Sequence, residues 1–361
     1  MATLASTVSA GIEGRSERAE LWAGTLLTPL RLIIGWTYFS AFWRRLILDN
    51  KLLPDQPGYI GEKFNHFLPN AFLIQPAIEF FVTQPALLWW KLVVFTIVEG
   101  LVGLALMLGL FTRAMGIATS LLALGILLGA GWLGTTCLDE WQIGSLGVGG
   151  GLVFAFAGGG RFSLDRRLAA RFGEGGPRFA AWARGLAPGE APFWGKLVVA
   201  ASAFAFGLTL LTNQVFHNGV WGELHNKSIR PVVELSNTRL RDDALTVQLY
   251  RVEGADVYGS FAIGVRVLDE SDAVAVEWFA ADLAQLSPDA IANRYVAKIK
   301  PGVHSLVLPL GAKADVTLHH PALRGLHAGD YRVELLDISG LSWTTPLRVP
   351  SSEQALGERQ S

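Results

Sequence analysis

The residues that could do chemistry include two ionisable side chains placed within apolar stretches of the sequence. Glu99 lies near the centre of a long apolar segment, and Arg31 lies at a similar depth in an earlier one. An ionisable side chain is costly in hydrocarbon, so it usually faces the interior of a helix bundle. We therefore expect the two residues to pair. Such a pair could have only a structural role, in which it fixes the packing of the helices. Alternatively, Glu99 could act as an acid that supplies protons to a substrate reduced within the membrane.

Cys137 is the only cysteine among 361 residues, and it lies in a short polar run that ends at Trp141. A thiol becomes nucleophilic where a nearby cation lowers its pKa. Its sequence neighbours Asp139 and Glu140 would have the opposite effect, so the cation must come from elsewhere in the fold. The candidates are Arg44, Arg45 and Lys91. The alternative is a buried thiol that acts only as a small hydrophobic side chain.

A third candidate group lies between residues 217 and 228, directly after the last long apolar stretch. It contains His217, Trp221, His225 and Lys227, and the spacing of the two histidines matches no common metal site. We expect this group and the Cys137 loop to lie at one outer surface of the membrane. A plain linker is the alternative reading.

The composition excludes several classes of protein. Hydrophobic residues make up 51% of the chain and charged residues only 17%, which is too apolar for an ordinary soluble protein. A net charge of -1 gives no reason to expect nucleic acid as a partner. One cysteine excludes an internal disulfide, a Cys-based zinc site and a protein-ligated iron–sulfur cluster within this chain. The sequence also contains no haem or flavin motif, and the glycines of 147–151 do not form a nucleotide loop.

Membrane spans are the elements that must position these residues. A hydrocarbon core of roughly 30 Å needs about 20 apolar residues in a helix. The sequence predicts about five such spans, at residues 21–43, 86–111, 114–133, 141–158 and 193–212. The basic loop 159–192 belongs in the cytoplasm by the positive-inside rule. The N-terminus is therefore predicted inside and the C-terminal region outside.

The connection between the first two predicted spans carries a pair of arginines, Arg44 and Arg45, that this topology places outside. The pair could snorkel at a helix end and bind lipid phosphate. It could equally bind an anionic substrate. Residues 44–85 contain several prolines and phenylalanines without a clean apolar run. We expect short amphipathic pieces there that lie at the membrane interface.

The C-terminal part of the chain is predicted to be all-β. From Val232 onward, short alternating runs recur between turn signals such as Pro301-Gly302. Strands at this spacing predict an antiparallel sandwich of the immunoglobulin-like type. The predicted organisation is a polar tail at 1–20, a helical membrane bundle at 21–213, an extracytoplasmic sandwich at 214–350 and a second tail at 351–361.

Several motifs resemble a known family. In the membrane half they are Arg31…Gly35-Trp36…Phe42-Trp43-Arg44-Arg45, Glu99…Gly103…Gly109…Thr112-Arg113 and Gly158-Gly159-Gly160-Arg161-Phe162-Ser163-Leu164-Asp165. These resemble the DoxD membrane subunit of thiosulfate:quinone oxidoreductase. The run from Gly222 to Ser228 and the run from Leu308 to Ala312 resemble DoxA, its partner subunit. The likeness covers roughly residues 25–350 and describes a DoxD–DoxA fusion. The DoxD motifs also occur in the wider DoxX-like superfamily.

The resemblance implies an enzyme that oxidises two thiosulfates to tetrathionate and passes two electrons to a membrane quinone such as ubiquinone or menaquinone. It implies a multi-pass protein of the prokaryotic cytoplasmic membrane, and it leaves a homo-oligomer open. We expect Cys137 to carry a transient thiosulfonate. The residues expected to hold thiosulfate are Arg44, Arg45, Trp141, His225 and Lys227. The residues expected at the quinone are Glu99, Arg31 and Trp36.

Two other functions remain open from the sequence. The chain could be a non-catalytic subunit that associates with a quinone or a terminal oxidase, as a member of the DoxX-like superfamily. It could instead be a membrane-anchored binding module whose sandwich recognises a protein. The second reading leaves Glu99 and Arg31 without a role in the membrane. A transporter has little support, because the sequence has no evident internal repeats.

Overall fold

The computed structural model describes residues 21–54, 56–134, 139–172, 191–255 and 260–350. The chain divides into two compact units. The first contains Met1–Pro57, Trp89–Gly131 and Leu138–His225, and the second contains Gly58–Leu88, Trp132–Cys137 and Asn226–Ser361.

The first unit is helical. Its elements are α1 (Thr28–Phe42), a π-helix (Trp43–Leu48), most of α4 (Pro85–Leu108), α5 (Thr112–Ala130), α6 (Asp139–Ala157), α7 (Leu164–Phe172) and α8 (Ala191–His217). In the described part of the chain, three helices are long and apolar enough to cross a membrane. They are Pro85–Leu108, Thr112–Ala130 and Gly195–His217.

The other two predicted spans correspond to α1 and α6, and both stay predictions. Helix α1 has 15 residues, and the π-helix that continues it to Leu48 contains Arg44 and Arg45. Helix α6 has 19 residues, but it begins with Asp139 and Glu140 and contains many glycines, which lower its hydropathy. The described helices support a membrane protein without testing the number of spans or the orientation of the ends.

Glycines allow α1 and α4 to pack against each other at close range. A Cβ at Gly35 would lie 2.9 Å from the Gly103 carbonyl oxygen, and a Cβ at Gly100 would lie 2.6 Å from the Phe42 ring. Small residues at helix contacts are typical of membrane bundles. The contacts run in opposite directions along the two helices, so α1 and α4 are antiparallel. This register decides which polar side chains meet.

The second unit contains all the described strands, in two antiparallel sheets. They are β1 (Val232–Arg241), β2 (Ala244–Glu253), β3 (Ser260–Leu268), β4 (Val274–Phe279), β5 (Ile291–Asn293), β6 (Lys300–Pro301), β7 (Leu306–Leu308), β8 (Lys313–His319), β9 (Gly329–Asp337) and β10 (Ser342–Val349). One sheet has the order β1-β2-β8-β5, and the other has β10-β9-β3-β7-β6 with β4 paired to β3. Alternating residues such as Leu245, Val247 and Leu249 fill the core. The all-β prediction for this region is confirmed.

Residues 58–88 belong to the same unit as the sheets, which the sequence did not indicate. They form α2 (Ile60–His66), a 3₁₀ turn (Leu68–Asn70) and α3 (Gln75–Val82). The fully buried Asn65 donates to the Gly311 carbonyl oxygen at 2.8 Å and accepts from the Ala297 amide at 3.2 Å. These bonds anchor the segment to the loops of the sheet domain. Short apolar helices here pack on protein, where the sequence predicted pieces lying at the membrane interface.

Candidate functional site

The central feature of the helical unit is a buried ion pair between Glu99 and Arg45. The Arg45 Nη1 atom lies 2.6 Å from the Glu99 Oε2 atom, and the two side chains are 16% and 6% exposed, respectively. The same Nη1 donates to the Thr96 hydroxyl at 3.3 Å, and Thr96 is buried. The Arg45 guanidinium also lies 5.8 Å from the centre of the Phe95 ring. Glu99 is therefore ion-paired in an otherwise apolar environment.

The π-helix explains how Arg45 reaches Glu99. It continues α1 directly from Trp43 to Leu48, so the chain still winds alongside α4 after the first helix ends. The Phe42 ring packs on Gly100, one residue from Glu99. The next turn then brings Arg45 to the carboxylate. Wide turns of this kind are frequent at functional sites.

An aromatic row leads along α1 towards this pair. The Trp36 and Phe39 ring centres are 5.9 Å apart, and Phe39 is 5.8 Å from Phe42 and 5.9 Å from Trp43. Trp36 and Trp43 remain exposed on the helical unit, with 55% and 41% of their surface accessible. In a bilayer, such a row gives flat rings against which an apolar ligand can pack.

The predicted pair of Arg31 with Glu99 is wrong. The guanidinium of the buried Arg31 donates to the Gly159 carbonyl oxygen at 2.6 Å and to the Phe162 carbonyl oxygen at 2.9 Å. Antiparallel packing places Arg31 beside Gly109, which directly follows α4 and is ten residues from Glu99. At 1.5 Å per residue this offset is roughly 15 Å, too far for an ion pair.

Arg31 instead contributes to a second polar cluster around the α4–α5 turn. The buried Asp165 carboxylate accepts from the Phe111 amide at 2.7 Å, the Thr112 amide at 2.8 Å and the Thr112 hydroxyl at 2.7 Å. These bonds satisfy amides at the start of α5 that have no partner within the helix. Burial raises the pKa of Asp165, and the hydrogen bonds from Thr112 and Phe111 and the charge of Arg31 oppose that rise. This cluster holds the turn in place.

In the second unit, Lys227 lies in a polar group with Asn70. The Lys227 Nζ atom donates to the Asn70 side-chain oxygen at 2.7 Å and lies 3.9 Å from the Glu253 carboxylate. Asn70 in turn donates to the Val252 carbonyl oxygen at 2.8 Å. The Lys227 side chain is 36% exposed, so its ammonium group is fixed in position and still reachable by an anion.

Ser228, the next residue, holds the segment that leads towards Cys137. Its hydroxyl accepts from the Gly134 amide at 3.0 Å and contacts the Trp132 carbonyl oxygen at 3.5 Å. Cys137 itself lies outside the described residues, and so do its neighbours 135, 136 and 138.

The remaining predicted residues are distributed over the helical unit. The His225 amide donates to the His217 carbonyl oxygen at 3.2 Å, and the fully buried His217 ring contacts the Gly131 carbonyl oxygen at 3.0 Å. The Trp141 indole donates to the Thr212 hydroxyl at 3.1 Å, which joins α6 to α8. Arg44 is exposed, and its Nε atom lies 3.4 Å from the Ser40 carbonyl oxygen.

Three polar residues at these groups were not predicted as site residues from the sequence, namely Tyr38, Thr96 and Asn70. Asn70 and Thr96 lie in partly apolar stretches of the sequence. Only the three-dimensional packing brings Asn70 to Lys227 and Thr96 to the Arg45–Glu99 pair. Tyr38 is buried in α1, one turn before Phe42. Tyr38 and Arg45 are seven residues apart, and residues at this spacing share a helix face. This spacing could have indicated from the sequence that Tyr38 lies on the same side of the helix as Arg45. Over the part of the chain that is described, no cluster of three or more His, Cys, Asp or Glu residues could hold a metal ion.

An apolar helical region with a buried ion pair, followed by a two-sheet β domain, defines a membrane protein that carries a separate all-β domain. Two family models match the chain in tandem. The model described as "TQO small subunit DoxD" matches residues 26–182, and the model described as "TQO small subunit DoxA" matches residues 216–346. The chain belongs to these families and combines them as a DoxD–DoxA fusion. No solved structure matches it.

Proposed function

We propose that this protein is a thiosulfate:quinone oxidoreductase that joins two thiosulfates to form tetrathionate and reduces a membrane quinone. The presence of both small-subunit families in one chain supports a function related to this enzyme. The observation that carries the proposal furthest is the Arg45–Glu99 pair, because it provides a carboxylate inside an apolar helical unit. Reduction of a lipid-soluble quinone needs such a group, since quinol formation consumes protons.

We assign the quinone end to Glu99, Arg45 and the aromatic row that begins at Trp36. The quinone head would displace part of the Arg45 hydrogen bonding, after which the Glu99 carboxylate takes up a proton that originates from water and passes it to the reduced quinone. The isoprenoid tail would pack against the exposed faces of Trp36 and Trp43. Arg31 is assigned to positioning the α4–α5 turn, because both of its terminal nitrogens donate to backbone carbonyl groups.

The thiosulfate end is assigned to Cys137 and Lys227. Thiosulfate is a dianion, and a partly exposed ammonium group held by Asn70 suits such a ligand, which would take the place of the Glu253 carboxylate beside Lys227. Cys137 is three residues beyond Gly134, and three residues span roughly 11 Å at most. Because Ser228 bonds to Gly134, this distance supports a thiol within reach of the neighbouring Lys227. His225, Arg44 and Trp141 remain candidates for further contacts with the anion.

The chemistry balances without a metal or flavin. The Cys137 thiolate and one thiosulfate lose two electrons to the quinone and form a sulfur–sulfur bond, which gives a protein thiosulfonate. A second thiosulfate attacks the sulfane sulfur of this adduct, releases tetrathionate and restores the thiolate. The quinone takes up the two electrons and two protons from water to become quinol.

The same proposal includes the membrane topology, the domain boundaries and the oligomeric state. The two-sheet domain would be an immunoglobulin-like sandwich outside the cytoplasmic membrane of a prokaryote, with five spans and the N-terminus inside. Domain boundaries near residues 20, 213 and 350 follow from this arrangement. A homo-oligomer is compatible with it.

The first test measures the chemical state of the Cys137 thiol. Because Cys137 is the only cysteine, a thiol reagent labels one site in the whole chain. We expect mass spectrometry of the intact protein, incubated with thiosulfate and an oxidised quinone analogue, to detect one thiosulfonate on the wild type. Cys137→Ser should show neither the adduct nor turnover, and Lys227→Gln should raise the KM for thiosulfate. Full turnover by Cys137→Ser would overturn the covalent step while leaving the enzyme assignment in place.

A further inference from the structure

The proposed overall reaction consumes two protons that thiosulfate does not supply. Oxidation of two thiosulfates to tetrathionate releases two electrons and no proton, whereas reduction of a quinone to a quinol consumes two protons. The protons must therefore come from water and must cross the helical unit to reach Glu99. A path for them requires buried polar groups that can hold water or exchange protons.

Tyr38 and Thr119 are buried polar residues of this kind. The Tyr38 hydroxyl contacts the Thr119 carbonyl oxygen at 3.4 Å, which is long for an O–H···O bond. Among the residues that the structure describes, the Thr119 hydroxyl is one of a few buried side-chain groups without a hydrogen-bond partner. Thr119 is 0% exposed and Tyr38 is 7% exposed. A buried hydroxyl normally finds a partner, and ordered water is a common one.

The position of Tyr38 connects this site to the ion pair. Its hydroxyl lies where α1, α5 and α6 meet, because a Cβ at Gly147 of α6 would lie 3.2 Å from it. Tyr38 and Phe42 are four residues apart and share a face of α1, so Tyr38 lies one turn from the residue that packs beside Glu99. The Phe42 ring on Gly100, one turn further along α1, fills the space beside Glu99. Tyr38 thus places a buried hydroxyl between Thr119, whose carbonyl oxygen it contacts, and the turn of α4 that carries Glu99.

We propose that the Tyr38 and Thr119 hydroxyls hold water within the helical unit and relay protons through it to Glu99. The inference rests on the proposed quinone reduction. After Glu99 gives its proton to the reduced quinone, the Tyr38 hydroxyl returns one to the carboxylate and regains its own from the water at Thr119. Two such transfers complete one quinol. Tyr38 and Thr119 act through Glu99 and are positioning residues for its reprotonation.

The test compares quinone reduction by single-hydroxyl variants. Positioned proton transfer contributes on the order of 10²–10⁴-fold to rate. Tyr38→Phe should therefore lower kcat at least tenfold, leave both KM values within about twofold and raise the solvent deuterium isotope effect on kcat. Thr119→Val should act in the same direction, and Thr119→Ser should restore turnover because it keeps the hydroxyl.

The matched control is Thr37→Val, which removes an exposed hydroxyl from the same helix, where it bonds only to the Ile33 carbonyl oxygen at 2.9 Å. This variant should keep the kcat and the isotope effect of the wild type. Thermal unfolding of each variant separates folding from turnover, and the Thr119 variants decide the question if Tyr38→Phe does not fold.

Three results would overturn the relay, and the third would overturn the proposed function as well. If the wild type is active and both Tyr38→Phe and Thr119→Val keep its kcat and its isotope effect, the relay is wrong and the proposed function stands. A higher Tm in Thr119→Val together with full turnover would show that its hydroxyl was simply unpaired and unused. A wild type that reduces no quinone would overturn the proposed function, and the relay with it.

Discussion

The burial of the Arg45–Glu99 pair leads to a quantitative prediction about stability. The perturbation is a double-mutant cycle of Arg45→Met, Glu99→Gln and the combination of both. At an N–O distance of 2.6 Å the Coulomb attraction is about 6 kcal/mol with an effective dielectric constant near 20, and most of it offsets desolvation. Removing one partner of a buried pair costs about 3–5 kcal/mol, whereas replacing both by neutral groups costs little. Two single-variant costs of about 3–5 kcal/mol each and a double-variant cost near zero give an expected coupling free energy of about 6–10 kcal/mol.

A second pair in the protein provides a matched control. Arg266 and Glu277 are also 2.6 Å apart, but their side chains are 36% and 23% exposed. Exposed pairs contribute about 0.2–1 kcal/mol because water screens them and their side chains lose entropy. The same cycle at this pair should give a coupling below about 1 kcal/mol. The distance is the same in both pairs, and Arg266 also lies 3.9 Å from the Glu334 carboxylate, so the cycle is measured in a Glu334→Gln background to leave burial as the main difference.

The assay is reversible unfolding of the full chain in mixed detergent micelles, followed by tryptophan fluorescence. Each variant is measured at two salt concentrations, because a surface pair weakens with salt and a buried pair does so much less. Additive single-variant effects at Arg45 and Glu99, within about 0.5 kcal/mol, would refute the argument that these charges depend on each other.

Three further predictions concern packing and buried polar groups, and all are measured by the same unfolding assay. Gly103→Ala should destabilise the chain by about 2–4 kcal/mol, since its Cβ would overlap the backbone of α1, whereas Gly125→Ala meets open space and should be neutral or stabilising. Asp165→Ala should cost about 2–4 kcal/mol because two buried amides lose their acceptor, and an unchanged stability would contradict its role at the turn. Asn65→Ala should cost a similar amount for the loss of two buried hydrogen bonds, and a cost below 0.5 kcal/mol would contradict that account.

The sequence could predict the classes of element and the importance of Glu99. Continuous apolar runs predicted the three helices that are long enough to span a membrane. Alternating runs after Val232 predicted the strands, because residues on one sheet face point into a common core. An acid in the middle of an apolar run indicated a buried polar group. These conclusions depend only on local pattern.

The partner of Glu99 could not be predicted in this way. Estimating depth from the centres of apolar runs paired it with Arg31. In the structure the helix register is set by the glycines where α1 and α4 touch, and the π-helix extends the contact as far as Arg45. A register argument based on Gly35, Gly100 and Gly103 would have selected the correct arginine. The sequence contains this information, although not in its hydropathy.

The placement of residues 58–88 was missed for a different reason. Asn65 and Asn70 make their hydrogen bonds to residues that lie far away in the sequence. A buried asparagine is read from local pattern as an ordinary polar residue at a turn. The bond between Ser228 and Gly134 was missed for the same reason. Such contacts are visible only when the fold is known.

The measurement that tests the central claim most directly is quinone reduction by the purified full chain. A quinone analogue is followed spectroscopically after addition of thiosulfate, with tetrathionate assayed in parallel, for the wild type, Glu99→Gln and Thr37→Val. The account predicts one quinol for each tetrathionate in the wild type and in the control, and at least a tenfold loss of turnover in Glu99→Gln. A folded wild type that reduces no quinone would contradict it and would favour a non-catalytic membrane subunit.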